Sequence, residues 1–341
     1  MQAVTSIVLA AFGAYAASWF FGVIEGNFAL LLFMATVVTG IYWVAERLYF
    51  LPQRLAAVAT LESNDAKRRQ DLANKGITQV DGDIAQARQK ILMQPWWLDW
   101  TAGLFPVIIS VFFLRSFLFE PFKIPSGSMV PTLLVGDLIL VNKFAYGVRL
   151  PVLNTKITEG SKPQRGDVMV FRFPPKPSVD YIKRVVGVPG DEIAYINKRL
   201  TINGKPQSLT PMPDFLDEES MSYFRQYEEN LDGKIHRILN DDRRPAFVAG
   251  ADPFKGREGC TYTVEGVTCK VPQGEYFMMG DNRDNSSDSR DPTGGVGYVP
   301  FDNLVGKAQV VFFSCNAHCV VYEPWTWPTG IRWTRLFSPI H

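Results

Sequence analysis

Between Met1 and Val44 the chain carries a single charged side chain, Glu25. So apolar a run has to be buried, and it falls into two stretches, about 3 to 23 and about 28 to 45. Each comes close to the roughly 20 residues that carry a helix across a bilayer core. Gly22 to Asn27, between them, fits a tight helical hairpin. No Lys or Arg precedes the first stretch, which argues against a cleaved signal peptide. That first stretch either crosses the bilayer or lies against the second span.

From 46 to 99 the chain turns polar, with Arg47, Arg54, Lys67, Arg68, Arg69, Lys75, Arg88 and Lys90 mixed with acids. Bases flanking apolar spans place this loop in the cytoplasm, where it reads as a solvated helix without chemistry. Trp96, Trp97 and Trp100 then suggest an interfacial belt, followed by a final span at about 103 to 119 whose one charge, Arg115, can snorkel to headgroups. The expectation is a membrane anchor over 1 to 120 and an exported domain over 121 to 341. With two spans the N-terminus faces outside and with three it faces the cytoplasm; the second domain is exported either way.

After Glu120 acids and bases are interspersed, and the formal net charge of +1 argues against a nucleic-acid binder. Gly136 to Val141, Gly166 to Phe171, Tyr181 to Val188 and Leu304 to Phe313 are short β-branched and aromatic runs set off by Gly, Pro and Asp. They predict a mainly β domain, an antiparallel sheet or partly closed barrel rather than a βαβ layout. The more polar segment at about 200 to 270 reads as an inserted subdomain.

Just past the last span lies Ile124-Pro125-Ser126-Gly127-Ser128-Met129. A serine on a turn beside glycine and between prolines is expected to expose its hydroxyl, the setting of a nucleophile, although Ser-Gly-Ser is also ordinary loop punctuation. At roughly 3.3 to 3.6 Å per residue, Ser128 stays within about 30 Å of the span's end. None of the three histidines, His236, His318 and His341, sits in a Ser-His-Asp pattern, so each reads as structural or incidental.

Lys183 is the alternative base. Strand periodicity in Asp180 to Val186 sets Tyr181, Lys183 and Val185 on one face and Ile182, Arg184 and Val186 on the other. An aromatic and a β-branched neighbour can exclude water from the amine. A lysine starts near pKa 10.4 and needs a downward shift of roughly 2 to 3 units to act as a base near neutrality, which burial can supply. The plain alternative is a solvated charge. A third cluster, Gly280 to Arg290, could be an acidic calcium loop, but its two arginines and lack of EF-hand spacing weaken that reading. The other reading is a rigid loop of Asp/Arg pairs that holds a site in place.

At these stretches the sequence resembles bacterial type I signal peptidase, or leader peptidase, a Ser-Lys dyad family. The matching residues are Ser126-Gly127-Ser128-Met129 with Pro131-Thr132-Leu133, then Tyr181-Ile182-Lys183-Arg184 with Gly187 to Asp191, then Gly280 to Arg290, together with Arg165 to Val168. The likeness runs from about Phe28 to the C-terminus and is weak over the insert. It implies a membrane-bound serine endopeptidase, with a signal-peptidase/LexA-like β fold, that cleaves signal peptides from preproteins after small, A-x-A-like residues through an acyl-enzyme. On this resemblance Ser128 is the nucleophile, Lys183 the general base, Ser126 an oxyanion donor and Ser286 the orienter of the lysine. Asp288 and Arg290 are a structural ion pair, with Asp281 and Arg283 in support. Phe122, Ile124, Met129, Leu133, Tyr181 and Ile182 line the substrate pockets. The implied partners are preprotein signal peptides and membrane lipid, near the export translocon, with no nucleic acid, no metal and no cofactor. The implied location is the bacterial inner membrane, multi-pass, with the catalytic domain on the periplasmic side.

Two features depart from the family pattern: the extra apolar N-terminal stretch, and Asp291 to Gly297 intervening before Tyr298. All four cysteines lie in the exported part, where disulfides persist. Cys260 and Cys269 bracket a short hairpin and favour a bridge; Cys315 and Cys319, around His318, could be a second bridge, free thiols or a weak zinc site. The aromatic C-terminal segment, Trp325 to Phe337, either dips into headgroups or packs as a strand. The competing function classes are a non-enzymatic membrane-tethered scaffold of the secretion machinery and a self-cleaving repressor related to LexA, and the apolar spans argue against the latter.

Overall fold

The apolar front of the chain is helical. In the computed structural model, which describes all residues except 1, 25, 77–83, 151–154, 218–219, 246–258, 292–294, 317–318, 320–324 and 326, α1 spans Gln2–Phe20 and α2 spans Phe28–Ala45. The Asn27 side chain caps α2 by accepting from the Leu30 N–H at 3.0 Å. The second helix does not end where the hydropathy does. A π-helical turn, Glu46–Phe50, carries it into α3 (Leu51–Asn74), giving one helix over Phe28–Asn74. This helix and α1 are both long and apolar enough to cross a membrane. Thr5 and Tyr42 join α1 to α2 through hydroxyls 2.9 Å apart.

The expected solvated helix is present as α3 followed by α4 (Ile84–Leu92), and Val58 is the only buried side chain described on either. After α5 (Trp96–Asp99), α6 (Phe105–Phe113) and a π-helical turn form an apolar helix over Phe105–Leu118. At 1.5 Å per residue it is about 21 Å long, short of the roughly 30 Å hydrocarbon core. It is shorter than the expected 103 to 119 because turns occupy 100–104 and the chain is already a strand at Phe119. The expected tryptophan belt is also split: Trp96 and Trp100 are exposed, whereas Trp97 is buried with Tyr42, Leu98 and Ala102. Arg115 lays its guanidinium over the Phe28 ring, 4.0 Å from the centroid. As far as Ser116 these helices belong to one compact unit.

The second unit covers Phe117–Leu150 and Asn154–His341 and is β-rich. Its first four strands are β1 (Phe119–Lys123), β2 (Asp137–Asn142), β3 (Val168–Arg172) and β4 (Asp180–Gly187). They are followed by β5 (Glu192–Ile196), β6 (Arg199–Ile202) and β7 (Lys205–Pro206), and then by β8 (Leu209–Pro211), β9 (Phe215–Asp217), β10 (Ser222–Leu231) and β11 (Lys234–Asn240). After β12 (Cys260–Thr263) and β13 (Gly266–Lys270) come β14 (Glu275–Met279), β15 (Tyr298–Pro300), β16 (Leu304–Ser314) and β17 (Ser338–Pro339).

The main sheet runs β1-β2-β16-β3-β4-β14-β15, with β17 beside β16, and every pairing is antiparallel. Its two end strands do not pair among the described residues, so it is an open, half-barrel sheet. The expected strands all appear, shifted by one or two residues. Side-chain alternation sends Val168 and Val170 of β3 to one core, with Ile124, Met129 and Leu133, and Met169 and Phe171 to the other, with Val185 and Val299. Burial on both faces explains why β3 reads as a continuous apolar run rather than alternating.

The insert differs from its expected bounds. Strand β5 begins at Glu192 and pairs with both β6 and β13, so a five-stranded sheet, β12-β13-β5-β6-β7, starts before residue 200. Strands β8 to β11 form a separate four-stranded sheet. Cys260 and Cys269 face each other across the β12–β13 hairpin and are disulfide-bonded, with Cα atoms 4.0 Å apart. Cys315 and Cys319 are bonded as well, which leaves no thiolate there for zinc; His318 lies outside the described residues.

Candidate active site

Residues after β1 are drawn back to the sheet by their own apolar side chains. The Ile124 N–H donates to the Asp137 carbonyl at 2.8 Å, and Ile124, Met129 and Leu133 are at most 2% exposed. Between these anchors Gly127–Met129 forms a 3₁₀ turn, entered through extended Ser126. Ser126 is exposed, but Ser128 is only 8% exposed. The hydroxyl is therefore buried rather than displayed, because Met129 and Leu133 pull the turn against the core.

Strand β4 brings Lys183 to the same place. Its Nζ lies 2.7 Å from Ser128 Oγ, donates to the Ile182 carbonyl at 3.0 Å, and sits 5.5 Å from the centroid of the Tyr181 ring. Burial pushes the amine down from the ordinary lysine range to about 8; Asp288 and Asp281 oppose that fall, and Arg290 adds to it. The shift is of the size a lysine base requires.

Next in the strand, Arg184 is fully buried and holds Asp281 with two hydrogen bonds, Nε at 2.8 Å and Nη2 at 2.7 Å. It also donates to the carbonyl oxygens of Gly166 and His341 at 2.7 and 2.9 Å. Thr132, from the serine turn, donates to Asp281 at 2.5 Å. Although burial alone would raise it, the Asp281 carboxyl is held below the usual carboxylate range by Arg184. Asp288 is likewise held low against burial by Arg290, whose Nε and Nη2 lie 3.0 and 2.8 Å away. The expected Asp288–Arg290 pair is present. Arg283 pairs with buried Glu229 of β10.

The loop grips the backbone of the Ser128 turn directly. The Asn282 N–H donates to the Ser128 carbonyl and its side-chain amide to the Gly127 carbonyl, both at 3.1 Å. A Cβ on Gly280 would collide with Ser286 Oγ and the Ser128 carbonyl, so close approach requires glycine here. Ser286 is brought to the site, but its Oγ is buried without a hydrogen-bond partner and makes no described bond to Lys183. The loop closes despite the intervening residues: Val296 N–H donates to the Asp288 carbonyl at 3.2 Å and Ser289 Oγ to that of Gly297 at 2.5 Å.

Of the six expected pocket residues, Ile124, Met129, Leu133 and Ile182 belong to one core cluster with Phe122 packed on it, and Tyr181 packs on the other. A cavity of about 760 Å³ opens beside Ser126, and none of the six lines it. Sequence reasoning missed Arg184, Thr132, Asn282 and Glu229. Arg184 and Thr132 lie inside the matching motifs and Asn282 inside the loop, whereas nothing in the sequence ties Glu229 to Arg283.

A half-barrel β-sheet with this buried serine contact is the framework of a serine peptidase. Residues 97–313 match the family model described as signal peptidase, peptidase S26, and the chain belongs to that family. The signal peptidase I of Pseudomonas fluorescens is 41% identical over 295 residues, covering 84% of this chain and 92% of the relative. That of Pseudomonas aeruginosa is 41% identical over 296 residues with the same two coverages. A solved signal peptidase I from Enterococcus faecalis V583 is 25% identical, covering 43% of this chain and 97% of that one at a TM-score of 0.25. The protein is thus an enzyme of signal-peptide cleavage, and the non-enzymatic scaffold is set aside.

Proposed function

We propose that Ser128 is the nucleophile and Lys183 its general base in cleaving exported preproteins after small, A-x-A-like residues. The observation that carries this reading is the 2.7 Å contact between Lys183 Nζ and Ser128 Oγ with both side chains buried. The neutral amine takes the Ser128 proton as Oγ attacks the scissile carbonyl, then returns it to the leaving amine. The Ser128 N–H and the Ser126 hydroxyl receive the oxyanion, where one donor typically contributes about 3 to 4 kcal/mol. Lys183 next deprotonates the water that releases the acyl-enzyme. Once Ser128 is acylated, the unpartnered Ser286 Oγ can accept from the lysine and hold it in place.

Preference for small residues fits a site walled by close-packed Ile124, Met129, Leu133 and Ile182. Helices α1 and Phe28–Asn74 fit a multi-pass anchor in the bacterial inner membrane, with the β unit on the periplasmic side and near the export translocon. Trp325, Trp333 and Phe337, at least 61% exposed, suit contact with lipid headgroups. No step draws on a metal or cofactor. The test incubates the purified protein in detergent with a preprotein, comparing wild type with Ser128→Ala and Lys183→Ala. Only wild type is expected to cut after the small-residue motif, and equal activity in either variant would sink the dyad.

A further inference from the structure

The cavity beside Ser126 is far larger than small side chains require. Its volume, about 760 Å³, lies within the range of roughly 300 to 1,000 Å³ that accommodates a sizeable ligand. It is bordered by Ser126 and Gly127 of the serine turn, by Phe215 and Leu216 of β9, and by Asn282 and Asn285 of the catalytic loop. A second cavity of about 240 Å³ shares Asp217, Ser220, Asn282 and Asn285 with it. Through these shared residues the two form one groove that runs from Ser126 and Gly127, the two residues before Ser128, along the inserted sheet.

Direction follows from the turn itself. Met129 and Leu133 face the core on the side expected for signal-peptide residues, whereas Val130 and Leu134, one residue further on, line the groove. A polypeptide cut at Ser128 must continue past the scissile bond, and the groove is a built path on this flank. The residues following the cut bond differ from one exported protein to the next, so they call for recognition through the backbone. Strand β9 offers it: it pairs with β10 along one edge, and no strand covers its other edge among the described residues. Such an edge accepts an extended chain through main-chain hydrogen bonds.

Resting on the peptidase reading above, we propose that this groove binds the first several residues of the mature segment, with β9 as the pairing edge. The insert then serves substrate binding, adding reach beyond the cleavage motif.

Peptides sharing one cleavage motif and carrying one, three or six residues after the cut bond test this. In wild type kcat/KM is expected to rise about tenfold or more with that length. Leu216→Asp, at a side chain 39% exposed, should lose most of the gain, and Leu216→Met should keep it. The ratio of long to short peptide within each protein controls for folding. As a second measurement, a benzophenone on the third residue after the cut bond should label Phe215, Leu216, Asp217 or Ser220 in the Ser128→Ala enzyme. Length-independent cleavage by wild type, an undiminished gain in Leu216→Asp, or labelling of Phe122 or Tyr181 instead would overturn the groove. Cleavage by Ser128→Ala would overturn the nucleophile; an inactive Ser128→Ala beside an intact gain in Leu216→Asp would overturn the groove alone.

Discussion

Arg184 grips both carboxylate oxygens of Asp281, at 2.8 and 2.7 Å, with both side chains buried. This pair ties the strand that carries Lys183 to the loop that carries Ser286. Removing one partner of a buried ion pair leaves an uncompensated charge and costs about 3 to 5 kcal/mol, whereas replacing both with apolar residues is often neutral. Asp281→Ala should therefore lower the unfolding temperature in detergent sharply, and Arg184→Met with Asp281→Leu should recover most of the loss. Activity should stay low in both proteins, because the loop no longer holds Ser128 through Asn282. A double variant as unstable as Asp281→Ala would contradict this.

On the mechanism proposed above, the neutral form of Lys183 is the active one. With its pKa brought to about 8 by burial, kcat/KM should climb with pH along an acid limb centred near 8, falling roughly 100-fold from plateau to pH 6 if chemistry limits. Asp288 holds the lysine's pKa up, so Asp288→Asn should move the limb toward lower pH. Rates measured from pH 5 to 10 on both proteins decide it; an unmoved limb would show that Asp288 does not reach the amine.

How much of this was legible in the sequence depends on how local the cause is. Strand positions followed from β-branched runs and turn residues, and Lys183 stood out because alternation placed Tyr181 and Val185 beside it. The burial of Ser128 was not legible, since it arises from Met129 and Leu133 packing on β-strands that are distant in sequence. The same holds for Glu229, whose partner Arg283 lies 54 positions away. The polar helix was legible, but its unbroken join to the second apolar helix was not, because hydropathy changes at residue 46 whether or not the helix continues through it.

The Cys260–Cys269 bond closes a loop with a sequence separation of 9. Chain-entropy reasoning assigns such a short loop about 2 to 3 kcal/mol. Cys260→Ala with Cys269→Ala should lower the unfolding temperature correspondingly and leave the acid limb of the pH profile in place, because neither cysteine contacts Ser128 or Lys183 in any described bond. A shifted limb would mean that the β12–β13 hairpin bears on the lysine.

Glu229 gives the β unit a separate sensitivity to acid. Burial would raise its pKa, but Arg283 and the nearby His236, whose Nε2 lies 3.2 Å away, bring it down from 4.5 to about 2. A carboxylate with a depressed folded-state pKa stabilises the fold fully above its unfolded value, and that contribution disappears as pH falls through the folded value. The contribution is on the order of 3 kcal/mol and should vanish between about pH 4.5 and pH 2. Glu229→Gln should be less stable than wild type at neutral pH, since Arg283 is left buried without its anion, yet lose less on acidification across that window. Unfolding temperatures of the two proteins at intervals from pH 7 to pH 2 measure this directly. Converging curves are expected, and curves that stay parallel down to pH 2 would show that Arg283 and His236 do not hold Glu229 ionised.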